Sequence, residues 1–286
     1  MLGNNFIYCS IMKNIILCLF LFLSMDLSGQ NREREWILII PSFKSVEEMS
    51  TVDSCYVRLW YAFNADRIEN QNTYVDLQRL EVGKNIIKYY SYFTFNSDSL
   101  CTIWRRNNPM AQSRPRRLGP GGKRPDHWSE YKYSEYFIDV AKKQLTEYSR
   151  MPFYMRTSNS QSTENIPIQK WKIHPDTKLL MGYRCQKATC TFRGRQYEAW
   201  FTANIPVSSG PWKLNGLPGL ILKATDNKNE YSFECVKIEV FKNKIPIRMY
   251  NDYRSYKKME RFKLLEYQKM IHERYGKIVY QPLELE

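Results

Sequence analysis

The sequence predicts an α+β fold, a curved antiparallel β-sheet built as a meander of hairpins with a C-terminal helix packed on it. Three features carry that expectation. Apolar residues alternate along 55–63, a Gly-Leu-Pro-Gly turn at 216–219 feeds the apolar run Leu220, Ile221 and Leu222, and 252–275 contains neither proline nor glycine. With 286 residues, 43% of them hydrophobic, the chain can build a sizeable core in a single domain.

The first element in order is an address. Behind Lys13 comes the apolar run 15–23, followed by Leu27, Ser28, Gly29 and Gln30. Such a run is too short for a membrane-crossing helix, which takes about 20 residues. Residues 1–29 therefore read as a cleaved signal peptide, with translation starting at Met12 and 30–286 forming one mature domain. Cys18 lies behind Ile16 and Leu17 rather than behind small residues, so no lipid anchor is expected. The predicted location is the periplasm of a Gram-negative bacterium, possible association with envelope surfaces included.

Along 55–63 the residues Cys55, Val57, Leu59, Tyr61 and Phe63 share one side, the period of a half-buried strand. A second strand is expected at 86–95, with Ile87, Tyr89, Phe93 and Phe95 on one side, and a third piece at 100–104. Residues 105–124 carry Arg105, Arg106, Arg114, Arg116, Arg117, Lys123 and Arg124, no acidic residue, and several prolines and glycines, so a mobile basic loop is expected there. Strands resume at 131–140 and 144–155, 158–169 reads as a polar loop, and Trp171 reopens regular structure. Hairpin tips are expected at 192–197 and 226–229, and a helix of about six turns at 252–275.

Between the hairpins, Pro218 presets its own backbone angle and Gly219 tolerates a positive one, so 217–220 reads as a type II reversal aiming a core strand. Gly216, Leu217, Pro218 and Gly219 form this structural turn. With the approach Gly210-Pro211-Trp212-Lys213-Leu214-Asn215, the motif Gly216-Leu217-Pro218-Gly219-Leu220-Ile221 resembles the signature of the GLPGLI family of exported bacterial envelope proteins. Trp171, Thr177-Lys178 and the run Met181-Gly182-Tyr183-Arg184-Cys185-Gln186-Lys187-Ala188 extend that resemblance. It implies an exported protein of this fold and supplies no catalytic residue.

Lys and Arg number 43 against 29 Asp and Glu, a formal charge of +14, which favours anionic partners. Export argues against nucleic acid, leaving an envelope lipid, an anionic polymer or a membrane protein. The candidate partner surface comprises Trp212, Lys213 and Pro218 beside the turn and Arg114, Arg116 and Arg117 in the loop. No catalytic, cofactor-binding or metal-ligating set stands out. The three histidines, His127, His174 and His272, fall in unrelated contexts, and Cys185 and Cys190 lack zinc-site spacing. No cofactor is expected. The reading is therefore a non-enzymatic binding or carrier protein for a hydrophobic or anionic envelope component; the alternatives are a module docking through the basic loop and an enzyme of unrecognised type.

Overall fold

The computed structural model describes residues 41–113, 115, 118–120, 128–275 and 282–286. The alternating apolar residues open it as strand β1 (Met49–Phe63), in which Cys55, Val57, Leu59, Tyr61 and Phe63 are all buried. β2 (Asp76–Gly83) and β3 (Ile86–Ser91) continue the meander. The expected strands at 86–95 and 100–104 are corrected here. The Ser91 hydroxyl accepts a hydrogen bond from Thr94 N and caps helix α1 (Tyr92–Asn107), which buries Phe93, Asp98, Cys101 and Thr102. A capping hydroxyl outweighs the aromatic alternation that suggested a strand.

A short helix, α2 (Glu130–Tyr133), leads into β4 (Ser134–Asp139) and β5 (Gln144–Ser149). The polar stretch expected as a loop at 158–169 contains β6 (Ser160–Asn165), paired along its length with β5. β7 (Lys172–Leu180) pairs with β8 (Tyr183–Phe192), and β8, β9 (Arg195–Thr202) and β10 (Leu220–Asp226) follow the predicted hairpins. β11 (Ser232–Tyr250) runs straight through Pro246, which stands opposite Ser54 of β1. The final helix therefore starts later than 252: a 3₁₀ turn at Asn251–Ser255 and the two-residue β12 (Lys257–Lys258) precede α3 (Arg261–Tyr275). Leu264 and Ile271 of α3 pack on Trp128, Tyr133 and Met151.

These strands form one sheet in the order β12-β6-β5-β4-β3-β2-β1-β11-β10-β9-β8-β7, antiparallel except where β12 meets β6. The sheet bends back on itself. Arg193, in the turn from β8 to β9, pairs with Glu164 of β6, although the two strands lie near opposite ends of the order. Tyr61 donates its hydroxyl to Ile221 O at 2.6 Å across the interior. The space inside the bend is filled by Tyr61, Tyr89, Tyr136, Phe201, Trp212 and Leu222. A carrier of the expected kind would need that concavity empty.

The glycine-proline turn keeps its predicted place but not its predicted type. Gly219 N donates to Leu217 O at 2.8 Å, a three-residue γ closure about Pro218, while Leu220 N reaches instead to Ile205 O at 3.2 Å. Gly219 has φ +152°, and a Cβ there would stand 2.2 Å from Thr202 O, so no other residue fits. Beyond it Leu220, Ile221 and Leu222 are completely buried.

Candidate functional site

The described cysteines Cys55, Cys185, Cys190 and Cys235 are buried free thiols, Cys101 is buried as well, and burial raises the Cys190 pKa to about 12. Among the described residues no group of His, Cys, Asp and Glu is arranged to hold a metal. His174 shares a hydrogen bond with Thr189 at 2.8 Å and His272 packs its ring on Trp128; His127 lies outside the described residues.

Two polar constellations remain. The first is an interior ion cluster centred on Lys213, whose side chain is 1% exposed. Its Nζ stands 3.2 Å from Glu147 and 3.4 Å from Glu164, and also bonds Glu284. Arg261 Nη1 bonds Glu284 at 2.5 Å, and Gln268 of α3 donates to Glu147 at 3.0 Å. Burial works against the Lys213 charge, yet Glu284, Glu147 and Glu164 overcome it and hold its pKa above the usual lysine value. Nearby, burial pushes the Glu130 carboxyl up to about 8, with Glu147 and Glu284 adding to the effect and the Leu283 N–H opposing it.

The second is an open pocket of about 450 Å³. Three stretches far apart in sequence line it: 41–48, 150–159 and 252–256. The first crosses the surface as a strap, with Lys44 N bonded to Asp98 Oδ1 at 3.2 Å and Val46 N to Thr102 Oγ1 at 3.1 Å, both on α1. Beneath it Arg150 pairs with Asp98, which also accepts from the Tyr250 hydroxyl at 3.1 Å. Burial disfavours the Arg150 charge, but the Asp98 carboxylate prevails and keeps the guanidinium ionised.

Lys44 Nζ lies 4.7, 4.3 and 4.8 Å from the ring centres of Tyr250, Tyr253 and Tyr256, and it pairs with Asp252. Tyr148 stacks on Tyr253 at 4.3 Å and extends this buried aromatic cluster. Burial lowers the Lys44 pKa to about 8, helped by the Arg150 charge and opposed by Asp252 and Glu135. Around the mouth, Arg156, Thr157 and Ser255 are exposed and Asn159 is half-buried. Fork-shaped guanidinium, amide and hydroxyl groups suit a ligand with many hydroxyls.

Two residues of the expected partner surface turn inward. Trp212 is 3% and Lys213 1% exposed, so both serve the interior. Their loop is folded in by a bridge between Ser209 and Asn215 and by Trp171 Nε1 bonding Asn215 O at 2.7 Å. Pro218 is exposed at the turn. Arg114, Arg116 and Arg117, the leader at 1–29 and much of the basic loop lie outside the described residues; Arg105 and Arg106 close α1. The pocket residues were missed because they converge only through the sheet. One signal was visible, the three-residue spacing of Tyr250, Tyr253 and Tyr256.

Fold and site together define a bent-sheet domain with a filled interior and a polar pocket at its surface. The chain belongs to the family described as "N-glycanase peptide, N-terminal domain", whose profile matches residues 123–268. Two solved structures, of PNGF-II in C2 and P21 space groups, are similar at 14% identity, with TM-scores of 0.46 and 0.44. Each alignment covers 76% of this chain and 33% of the other, so the chain spans about a third of the length of the structures it matches. No curated protein matches it. The family match overturns the GLPGLI resemblance, since the stretch that carried it, from Trp171 to Ala224, falls inside the matched region. The expected envelope carrier and the basic-loop docking module fall with it, because the family is one of N-glycanase domains. Among the described residues no helix is long and apolar enough to cross a membrane.

Proposed function

We propose that this chain is a recognition domain for N-glycosylated protein, with the pocket beside Lys44 receiving the sugar. Membership in the family of N-glycanase N-terminal domains is the observation that carries this reading. The pocket supports it chemically. Arg156, Asn159, Thr157 and Ser255 supply donors and acceptors for vicinal hydroxyls. A secreted leader at 1–29 would bring the domain to glycoproteins outside the cytoplasm.

Calorimetric titration with a matched pair of peptides, one carrying an N-linked glycan and one stripped of it, tests the reading. Binding is expected only for the glycosylated peptide. Arg156→Ala should weaken it about tenfold, the loss of one charged hydrogen bond of roughly 1.5 kcal/mol. Equal binding of both peptides, or of neither, overturns the proposal. Arg156 is exposed, so the variant retains the fold.

A further inference from the structure

The Lys44 amine is set unlike a surface lysine. Its side chain is 10% exposed, three tyrosine rings lie within 5 Å of its Nζ, Asp252 pairs with it, and the residue lines the pocket. We infer that Lys44 is a covalent capture site for a short-chain hydroxyaldehyde, which enters the pocket and condenses with the amine to form an iminium ion. The inference goes beyond glycan recognition and rests on the enclosure of Lys44 beside the pocket, with its lowered pKa in support.

The chemistry follows from what the enclosure favours. The nitrogen lone pair adds to the carbonyl carbon, and the C=O π pair moves to oxygen, which takes a proton. The carbinolamine then expels that oxygen as water, leaving C=N⁺–H. From ammonium and aldehyde to iminium and water, atoms and charge balance without any redox partner. The product stays cationic, so it keeps the attraction of the ring faces of Tyr250, Tyr253 and Tyr256 and of the Asp252 carboxylate. Acylation or carbamate formation would cancel or reverse that charge and forfeit both attractions. This singles out carbonyl compounds among the electrophiles that attack amines.

The groups facing Lys44 also keep a share of the amine neutral. Arg150 opposes its charge, Asp252 and Glu135 favour it, the three phenols stay un-ionised, and burial shifts the balance toward the free base. A free-base fraction near neutrality is what the attacking step needs.

The test treats the full chain with glycolaldehyde and sodium cyanoborohydride at about pH 7.5, then compares adduct formation at each lysine by peptide mapping. A parallel sample receives acetic anhydride. The larger neutral fraction alone would favour Lys44 by about a hundredfold, and restricted access reduces this. The expected result is reductive alkylation of Lys44 at about ten times the median lysine rate, with a clearly smaller preference in acetylation. Labelling of Lys44 by the aldehyde at or below the median overturns the inference, as does an equal preference for both reagents. Lys44→Met, which should lose this adduct and leave the other lysines unchanged, confirms the site.

Discussion

Glu130 and Lys44 are two titrating groups whose folded-state pKa values diverge from the ordinary ones in opposite chemical senses, so they impose opposite pH slopes. Glu130 rises from 4.5 to about 8, so the folded state binds its proton more tightly than the unfolded chain does. Stability should fall as pH climbs from about 4.5 to 8, and Glu130→Gln should flatten that slope in urea titrations across the window. Lys44 drops from 10.5 to about 8, so the unfolded chain binds more protons between these values and stability should rise through that range. Lys44→Met should remove the rise. Gly219 poses a steric question instead: with Thr202 O 2.2 Å from where a Cβ would sit, Gly219→Ala should cost about 3 kcal/mol or more, read as a lower urea midpoint. At this scale the sequence marked Gly219 for the positive angle of a type II turn, whereas what excludes a side chain there is a γ closure that brings it against Thr202 O. It could not show that Trp212 and Lys213 turn inward, because a lysine is buried only where partners such as Glu147 and Glu284 arrive from distant parts of the chain.

At the level of elements, legibility followed the strength of the local pattern. β1 was clear since every second residue is apolar and buried, and the hairpins on either side of Gly194 and Asn229 were clear from turn chemistry. β6 has the sequence Ser-Gln-Ser-Thr-Glu-Asn and no apolar face to read; its place comes from pairing with β5 and from Gln161 donating to Tyr256 O at 2.9 Å. β2 hid for a related reason. It buries Asp76, Gln78, Arg79 and Glu81, whose partners are supplied by other elements, as where Ser91 donates to Asp76 at 2.9 Å. α1 was misread because Phe93 and Phe95 imitate a strand, while the Ser91 cap is a single hydroxyl. Ser91→Ala should therefore lower stability by about 1–2 kcal/mol, since it loses both the cap and the Asp76 bond, and should increase amide exchange in the first turn of α1.

Across the whole molecule, the bend of the sheet is what unites the interior with the pocket. The C-terminal residues act as a clasp between its two limbs: Glu284 joins Lys213, Arg193 and Arg261, Leu283 N bonds Glu130, and Arg195 donates to the carbonyls of Pro282 and Leu283. Removing 282–286 takes the Glu284 carboxylate from Lys213, Arg193 and Arg261, leaving Lys213 only Glu147 and Glu164, and should cost about 3 kcal/mol or more, seen as a lowered melting temperature. The global α+β, largely antiparallel design with a C-terminal helix was readable from periodicity and turns, but the bend was not, for it depends on side chains meeting across hundreds of residues. The pocket was hidden with it, since 41–48, 150–159 and 252–256 meet only once β1, β5, β6 and β11 have taken their places. Hydrogen exchange on the full chain, with and without an N-glycosylated peptide, tests the central claim most directly. Protection confined to 41–48, 150–159 and 252–256 is the predicted footprint; no protection there, or protection only at the far edge along β7, would contradict it.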